Sequence, residues 1–329
     1  MTLPFDAILV FGFGGPDGPE EVMPFLRKVT RGRNIPDERL EKVATQYHLF
    51  GGKSPINEQN EALRAALEME LRARKIQLPV RLAHKFASPT PEEIAQEFRQ
   101  EGIQDVLVLV TSAFSSYSGC RSYLEILEAA SERTGVRFAK LRAFFNHPCF
   151  LDAVASRIEE RAPSGAYRLI FTAHSIQLSM AESSSYTAQL NEAARLIAER
   201  VGKSEWELVY QSRSGPPHIP WLEPDIADHL GTIPRGESVL VVPLGFLSDH
   251  MEVLYDLDRE AKAAAEEAGL SFHRAATVGT HPRFIRGLAE MIEERLALRE
   301  GRLAEGRLPA LPDECARDCC PPPRPRSAR

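Results

Sequence analysis

Three groups of residues in this chain have types and spacings that could do chemistry. The first is His174, in Phe171-Thr-Ala-His174-Ser175, directly after an apolar run. Imidazole can take a proton or hold a metal ion near neutral pH. Position alone suits a hydrogen-bonded structural histidine equally. The second group is Glu252, Asp256 and Glu260, spaced i, i+4, i+8. On a helix this spacing puts three carboxylates on one face, where they repel unless solvent or a cation screens them. A solvated acidic face is the ordinary reading, yet Val253, Leu254 and Leu257 give the same segment an apolar side. One imidazole nitrogen with several carboxylate oxygens suits a divalent first-row ion such as Fe²⁺. The third group is Cys315, Cys319 and Cys320, a C-x₃-C-C run. By itself it reads as a zinc site, a redox pair or unliganded thiols.

The elements that must position these groups are legible as alternating patterns. Apolar runs at 7–11, 80–84, 105–111, 137–143, 169–173, 207–211, 238–243 and 271–275 are rich in Val, Leu, Ile and Phe. They lack polar alternation, as strands buried on both faces of a parallel sheet do. Amphipathic helical segments lie between them, among them 19–29, 37–48, 57–74, 183–201 and 252–268. The alternation predicts an α/β fold of right-handed βαβ units in a doubly wound parallel sheet. The chain also looks internally doubled. The runs at 106–116 and 239–249 each lead from a buried strand through a polar turn toward a helix. Ligands in such folds bind beyond the C-terminal strand ends, where His174 and the start of the acidic segment are expected. The stretch 309–329 holds six prolines and three cysteines, and predicts an irregular tail that needs a staple.

Composition narrows the function classes. Lys plus Arg is 40 and Asp plus Glu is 46 in 329 residues, a net charge of −6. That argues against general nucleic-acid binding, which needs surplus basic charge. No apolar run approaches the ~18 to 20 residues of a membrane span. The first residues lack a basic n-region and carry Asp6, so no secretory signal is read there. A cytoplasmic location is expected, with cysteines unpaired or metal-bound.

Six strings occur in order: Phe13-Gly-Gly-Pro16, Gly51-Gly-Lys-Ser-Pro-Ile56, Thr172-Ala-His-Ser175, Tyr210-Gln-Ser212, Pro220-Trp-Leu222 and Ser248-Asp-His-Met-Glu-Val-Leu-Tyr-Asp256. Together they resemble the ferrochelatases, which insert Fe²⁺ into a porphyrin for haem biosynthesis. The resemblance implies two similar Rossmann-like halves with a porphyrin cleft between them. It places an N-terminal half at 1–145, a C-terminal half with the metal site at 146–308 and a cysteine-bearing tail at 309–329. It implies that His174 and Glu252 are catalytic and meet the Fe²⁺ substrate, and that Asp256 and Glu260 form an acidic path. Ser54 and Tyr123 match positions that contact porphyrin propionates, with Phe13, Arg31, Arg33 and Tyr47 as further candidates. Cys149, with Cys315, Cys319 and Cys320, matches the four thiolates of a [2Fe–2S] cluster, whereas Cys120 reads as a small buried residue.

Three departures from the family pattern matter. Phe13 stands where some bacterial relatives have a metal-reaching tyrosine. His174-Ser-Ile-Gln177 replaces the common His-Ser-Leu-Pro. The stretch Thr30-Arg-Gly-Arg-Asn-Ile-Pro-Asp-Glu-Arg39 is short and polar where the protoporphyrin-using branch has a hydrophobic lip. This favours coproporphyrin III over protoporphyrin IX. From another class, a non-catalytic haem or metal carrier could use the same scaffold, but would be expected to lose the His174 and Glu252 pair. The ordered match argues against cobalt and nickel chelatases.

Overall fold

The computed structural model describes residues 3–32, 35–215 and 218–323. Among them, the apolar runs form eight parallel strands in two sheets. The first holds β1 (Ala7–Gly12), β2 (Val80–His84), β3 (Asp105–Val110) and β4 (Arg137–Lys140), in the order β2-β1-β3-β4. The second holds β5 (Arg168–His174), β6 (Glu207–Gln211), β7 (Ser238–Val242) and β8 (Ser271–Arg274), in the order β6-β5-β7-β8. The topology is thus the same twice, and the runs at 106–116 and 239–249 begin in the corresponding strands β3 and β7. The repeat extends to the turns. The His84 N–H donates to the Pro89 carbonyl at 2.7 Å, and the Tyr210 N–H to the Pro224 carbonyl at 2.9 Å. Strands pack as their composition predicts: Ala7 through Phe11 have no exposed surface. Truncating a side chain such as Phe11 there would cost about 3–5 kcal/mol.

The helices are α1 (Pro19–Val29), α2 (Asp37–His48), α3 (Ile56–Ala73), α4 (Pro91–Gln100), α5 (Ser122–Thr134), α6 (Pro148–Arg161), α7 (Leu178–Glu182), α8 (Tyr186–Arg200), α9 (Ile226–Leu230), α10 (Met251–Tyr255), α11 (Lys262–Ala268) and α12 (Pro282–Arg295). α4 starts on a capping box: the Thr90 hydroxyl accepts the Glu93 N–H while Glu93 accepts the Thr90 N–H. The helix expected at 183–201 is α8, and the short α7 precedes it. The Ser183 and Ser184 hydroxyls donate back to the Ser179 and Met180 carbonyls and close α7 before α8 begins. The helix expected at 252–268 is interrupted. A π-helical turn, Asp256–Ala261, joins α10 to α11, and Gly269 at φ +74° ends α11. A second π turn, Tyr117–Arg121, leads into α5. Periodicity did not reveal the five-residue α9.

Two compact units contain these elements. Unit one comprises 1–111, 125–140 and 248–251; unit two comprises 112–124, 141–247 and 252–329. The proline-rich stretch is irregular through residue 323. Asp313 accepts ion pairs from Arg295 at 3.3 Å and Arg302 at 2.5 Å, which tie the stretch to α12 and the turns after it. Among the described residues, no helix is long and apolar enough to cross a membrane.

Candidate active site

His174 is the last residue of β5 and is held from three sides. Its ring Nδ1 lies 2.5 Å from the Ser175 carbonyl, an acceptor that the ring can meet only by donating. In the neutral ring, Nε2 therefore carries the lone pair. The Tyr186 hydroxyl donates to the His174 carbonyl at 3.0 Å. Behind the strand end, the Gly245 N–H donates to the Thr172 carbonyl at 3.0 Å. A Cβ on Gly245 would sit 2.7 Å from Ala173 Cα, so this approach needs glycine.

Nε2 of His174 faces Glu252 Oε2 at 3.6 Å, and both side chains are partly open to solvent. Glu252 lies on α10, just ahead of the π turn that carries Asp256 and Glu260. Asp256 is largely buried and accepts hydrogen bonds from the Ser212 hydroxyl and from Gln211 Nε2, the latter at 3.4 Å. Burial pushes its carboxyl up to about 7, helped by repulsion from Glu252 and Glu260 and opposed by the two hydrogen bonds. Burial also raises Glu260; a hydrogen bond from Tyr255 opposes this, and repulsion from Asp225 adds to it. Asp225 is raised by its own burial and by Asp228. The carboxylates thus form a row, Glu252, Asp256, Glu260 and Asp225, whose mutual repulsion a divalent cation would relieve.

The row expected from i, i+4 spacing is present, on a π turn rather than a regular α-helix. Sequence reasoning missed its supports. Ser212 sits at φ +62°, a left-handed conformation that costs a non-glycine residue about 1–2 kcal/mol. Gln211 ends strand β6 and Ser212 and Asp225 follow it, and only the string Tyr210-Gln-Ser212 pointed to two of them.

The remaining candidates fall in both units. Phe13 follows β1 and packs edge-to-face on Phe86 at 4.7 Å and Phe25 at 6.4 Å; Tyr47 joins this cluster through Phe25 at 6.0 Å. Arg31 is exposed in the turn after α1, and Arg33 lies outside the described residues. Ser54 is buried; its N–H donates to the Pro16 carbonyl at 2.9 Å, and its hydroxyl oxygen lies 3.5 Å from the Ile56 N–H. These residues belong to unit one. Tyr123 belongs to unit two, in the first turn of α5, where burial raises its phenol above the ordinary value.

All five cysteines are thiols, and Cys120 is buried. Cys149 opens α6, with Sγ 3.5 Å from Glu290 Oε2. His147 Nε2 lies 3.8 Å from the same oxygen, and the three candidate ligand atoms lie within 4.8 Å of one another. Burial, then the Glu290 charge, pushes the Cys149 thiol up to about 11. Burial, then Arg142 and Arg299, pushes His147 down to about 3. The two arginines make this pocket a poor host for an isolated cation. Cys319 and Cys320 place their sulfurs 3.5 Å apart, and Cys320 adopts φ +53°.

With this geometry in view, comparison with known proteins is direct. The Ferrochelatase family model matches residues 5–296. A coproporphyrin III ferrochelatase of Streptomyces griseus is 45% identical, with 99% of this chain and 96% of the relative covered. A coproporphyrin III ferrochelatase of Nocardia farcinica is 44% identical, covering 97% of each chain. A ferrochelatase of Rhodopirellula baltica is 43% identical, covering 96% and 93%. Among solved structures, SirB from Bacillus subtilis with Fe3+ aligns over 91% of this chain and 98% of its own, with a TM-score of 0.55 and 16% identity. That likeness is one of fold.

Proposed function

The chain belongs to the ferrochelatase family, and from that premise we propose that it inserts Fe²⁺ into coproporphyrin III. The observation that carries the chemistry is the His174–Glu252 pair, two metal- or proton-seeking atoms 3.6 Å apart at the C-terminal end of β5. A porphyrin must lose two pyrrole protons as the metal enters. Nε2 of His174 is the open lone pair that accepts one, or that holds the ion transiently. Glu252 acts with it, and the row Asp256, Glu260 leads the cation inward.

Substrate choice rests on relatives 43–45% identical that are coproporphyrin III ferrochelatases, and on the short polar stretch after α1. Ser54 and Tyr123 are assigned to propionate recognition, where hydroxyls serve as donors. Phe13, Tyr47 and Arg31 are assigned to the porphyrin's surroundings; Phe13 cannot ligate a metal.

A [2Fe–2S] cluster on Cys149, Cys315, Cys319 and Cys320 is part of the same reading. The donor set fits in kind, four thiols, two of which converge at 3.5 Å. Loading would release the Cys149 proton, because the ligand is the thiolate. A cluster held there would supply stability or sensing rather than catalysis, since metal insertion transfers no electron. A cytoplasmic location belongs to the same reading, because thiolate ligands persist in a reducing compartment.

The test is anaerobic Fe²⁺ insertion run in parallel on coproporphyrin III and protoporphyrin IX. Preference for the tetrapropionate substrate is expected. Preference for protoporphyrin IX would overturn the substrate assignment alone. Tight porphyrin binding with no insertion into either would favour a carrier.

A further inference from the structure

The last residue of β6 and the one after it make contacts that the insertion chemistry above does not account for. Ser212 takes a left-handed backbone, φ +62°, which a serine adopts rarely. That conformation turns its hydroxyl onto Asp256, the buried carboxyl of the π turn. Its neighbour Gln211 is 1% exposed. Gln211 Nε2 lies 3.4 Å from Asp256 Oδ2 and 3.5 Å from the Glu252 carbonyl oxygen. The Gln211 side-chain amide oxygen, Oε1, is buried with no hydrogen-bond partner among the described residues. Reversing the amide would aim that oxygen at a carboxylate, so the observed orientation accepts an unsatisfied atom in order to donate. Two consecutive residues thus carry unfavourable local features, and both features end on the segment that bears Glu252 and Asp256.

We propose that Ser212 and Gln211 are positioning residues for the metal step, a clamp that fixes the π turn so that Glu252 faces His174 and Asp256 stays in the cation row. This rests on the function proposed above. A left-handed residue wedged against a helix is stiff, and π turns occur often at functional sites because they re-aim side chains. The clamp holds protein groups only, and the porphyrin-contact assignments lie elsewhere. Its loss should therefore fall on the metal and spare the porphyrin.

Substitutions at Ser212 separate this role from simple stabilisation. Ser212→Gly removes the hydroxyl and relieves the backbone. Ser212→Ala removes the hydroxyl and keeps the strain. Ser212→Asn tolerates the left-handed region and keeps a donor. Glycine and alanine variants should share a rise of about tenfold in KM for Fe²⁺, the loss of one hydrogen bond to a charged group. Their KM for coproporphyrin III should stay at the parent value, although the alanine variant is the less stable to denaturant. Asparagine should recover part of the Fe²⁺ defect. Calorimetric binding of Zn²⁺ to each purified chain repeats the comparison without turnover, and should weaken about tenfold in the glycine variant. Unchanged KM for Fe²⁺ and unchanged Zn²⁺ affinity in Ser212→Gly would overturn the clamp, as would a defect that tracks stability. A parent chain that binds Zn²⁺ but inserts no metal would instead overturn the function, with the Zn²⁺ series still deciding the clamp. A parent that neither inserts metal nor binds Zn²⁺ overturns both.

Discussion

Nε2 of His174 and Oε2 of Glu252 face one another at 3.6 Å, too far for a direct hydrogen bond. Nδ1 is committed to the Ser175 carbonyl, so Nε2 is the acceptor in the neutral ring. A cation bonded at about 2.1 Å to each atom in tetrahedral geometry would hold them about 3.4 Å apart. A proton shared with the imidazole is the other species that fits. On the function proposed above, the pair suits the two particles that metal insertion moves.

Removing either partner should therefore abolish turnover without abolishing porphyrin binding. His174→Ala and Glu252→Gln should each lower kcat for Fe²⁺ insertion by about 10²–10⁴-fold. Both side chains are partly exposed, so neither change empties the core. Fluorescence titration with coproporphyrin III should give affinities close to the parent's. Wild-type turnover in His174→Ala would refute its catalytic assignment.

Asp256 predicts a stability profile. Its folded carboxyl sits near 7, well above the ordinary aspartate value of about 3.9, chiefly through burial. Between these values the folded state holds more protons than the unfolded one, so its contribution is present below about pH 4 and is lost as pH rises through 7. The size is on the order of a few kcal/mol for a group this buried. Asp256→Asn should flatten the decline measured by denaturant unfolding between pH 4.5 and 7.5. Saturating Zn²⁺ should flatten it in the parent as well, because a bound cation favours the ionised row. Parallel curves for parent and variant would contradict the assignment.

Much of this could be read from residues in order. The strands were legible because β1, β3, β5 and β7 are unbroken apolar runs, and the repeat because β3 and β7 lead into similar turns. His174 and the acidic row were legible by type and spacing, though only the ordered strings raised them above a strand-end histidine and a solvated face. What was hidden has a common cause. The π turn at Asp256–Ala261 adds less than a residue per turn and leaves periodicity nearly intact. The left-handed Ser212 carries no compositional mark, since glycine or asparagine usually signals that conformation. Asp225 joins the row from a separate loop, a tertiary contact that spacing cannot encode.

Propionate recognition should be visible at Ser54. The side chain is buried against Gly15 and Ile56, so Ser54→Ala preserves packing and removes one donor. KM for coproporphyrin III should rise about three- to tenfold, the value of one hydrogen bond to a carboxylate, with kcat and KM for Fe²⁺ little changed. Steady-state kinetics with each substrate varied in turn decides this; an equal effect on both substrates would point to a folding defect.

The tail thiols should behave as a set. Cys149→Ser, Cys315→Ser, Cys319→Ser and Cys320→Ser should each remove the visible absorption and acid-labile sulfide of a [2Fe–2S] cluster, because four thiolates are required. Asp313→Ala breaks the ion pairs to Arg295 and Arg302 while sparing every thiol. It should lower cluster occupancy without abolishing it. Cluster content that survives Cys149→Ser would remove Cys149 from the ligand set and leave it to its contact with Glu290.

Gly245 ties the fold to the site most directly. Its N–H donates to the Thr172 carbonyl, and an added Cβ would lie 2.7 Å from Ala173 Cα, 2.8 Å from Ala173 Cβ and 3.4 Å from the His174 nitrogen. The obstacles are backbone and a fully buried alanine, not a flexible side-chain end, so the strand must move. Gly245→Ala should cost about 1–3 kcal/mol in unfolding free energy, the usual penalty for overpacking. The displaced end of β5 carries His174, whose distance to Glu252 sets the chemistry in the function proposed above. Turnover should therefore fall further than the fraction of folded protein. Measured together, denaturant unfolding and Fe²⁺ insertion distinguish the two effects. Activity that falls only in proportion to folded protein would show that His174 tolerates movement of its strand.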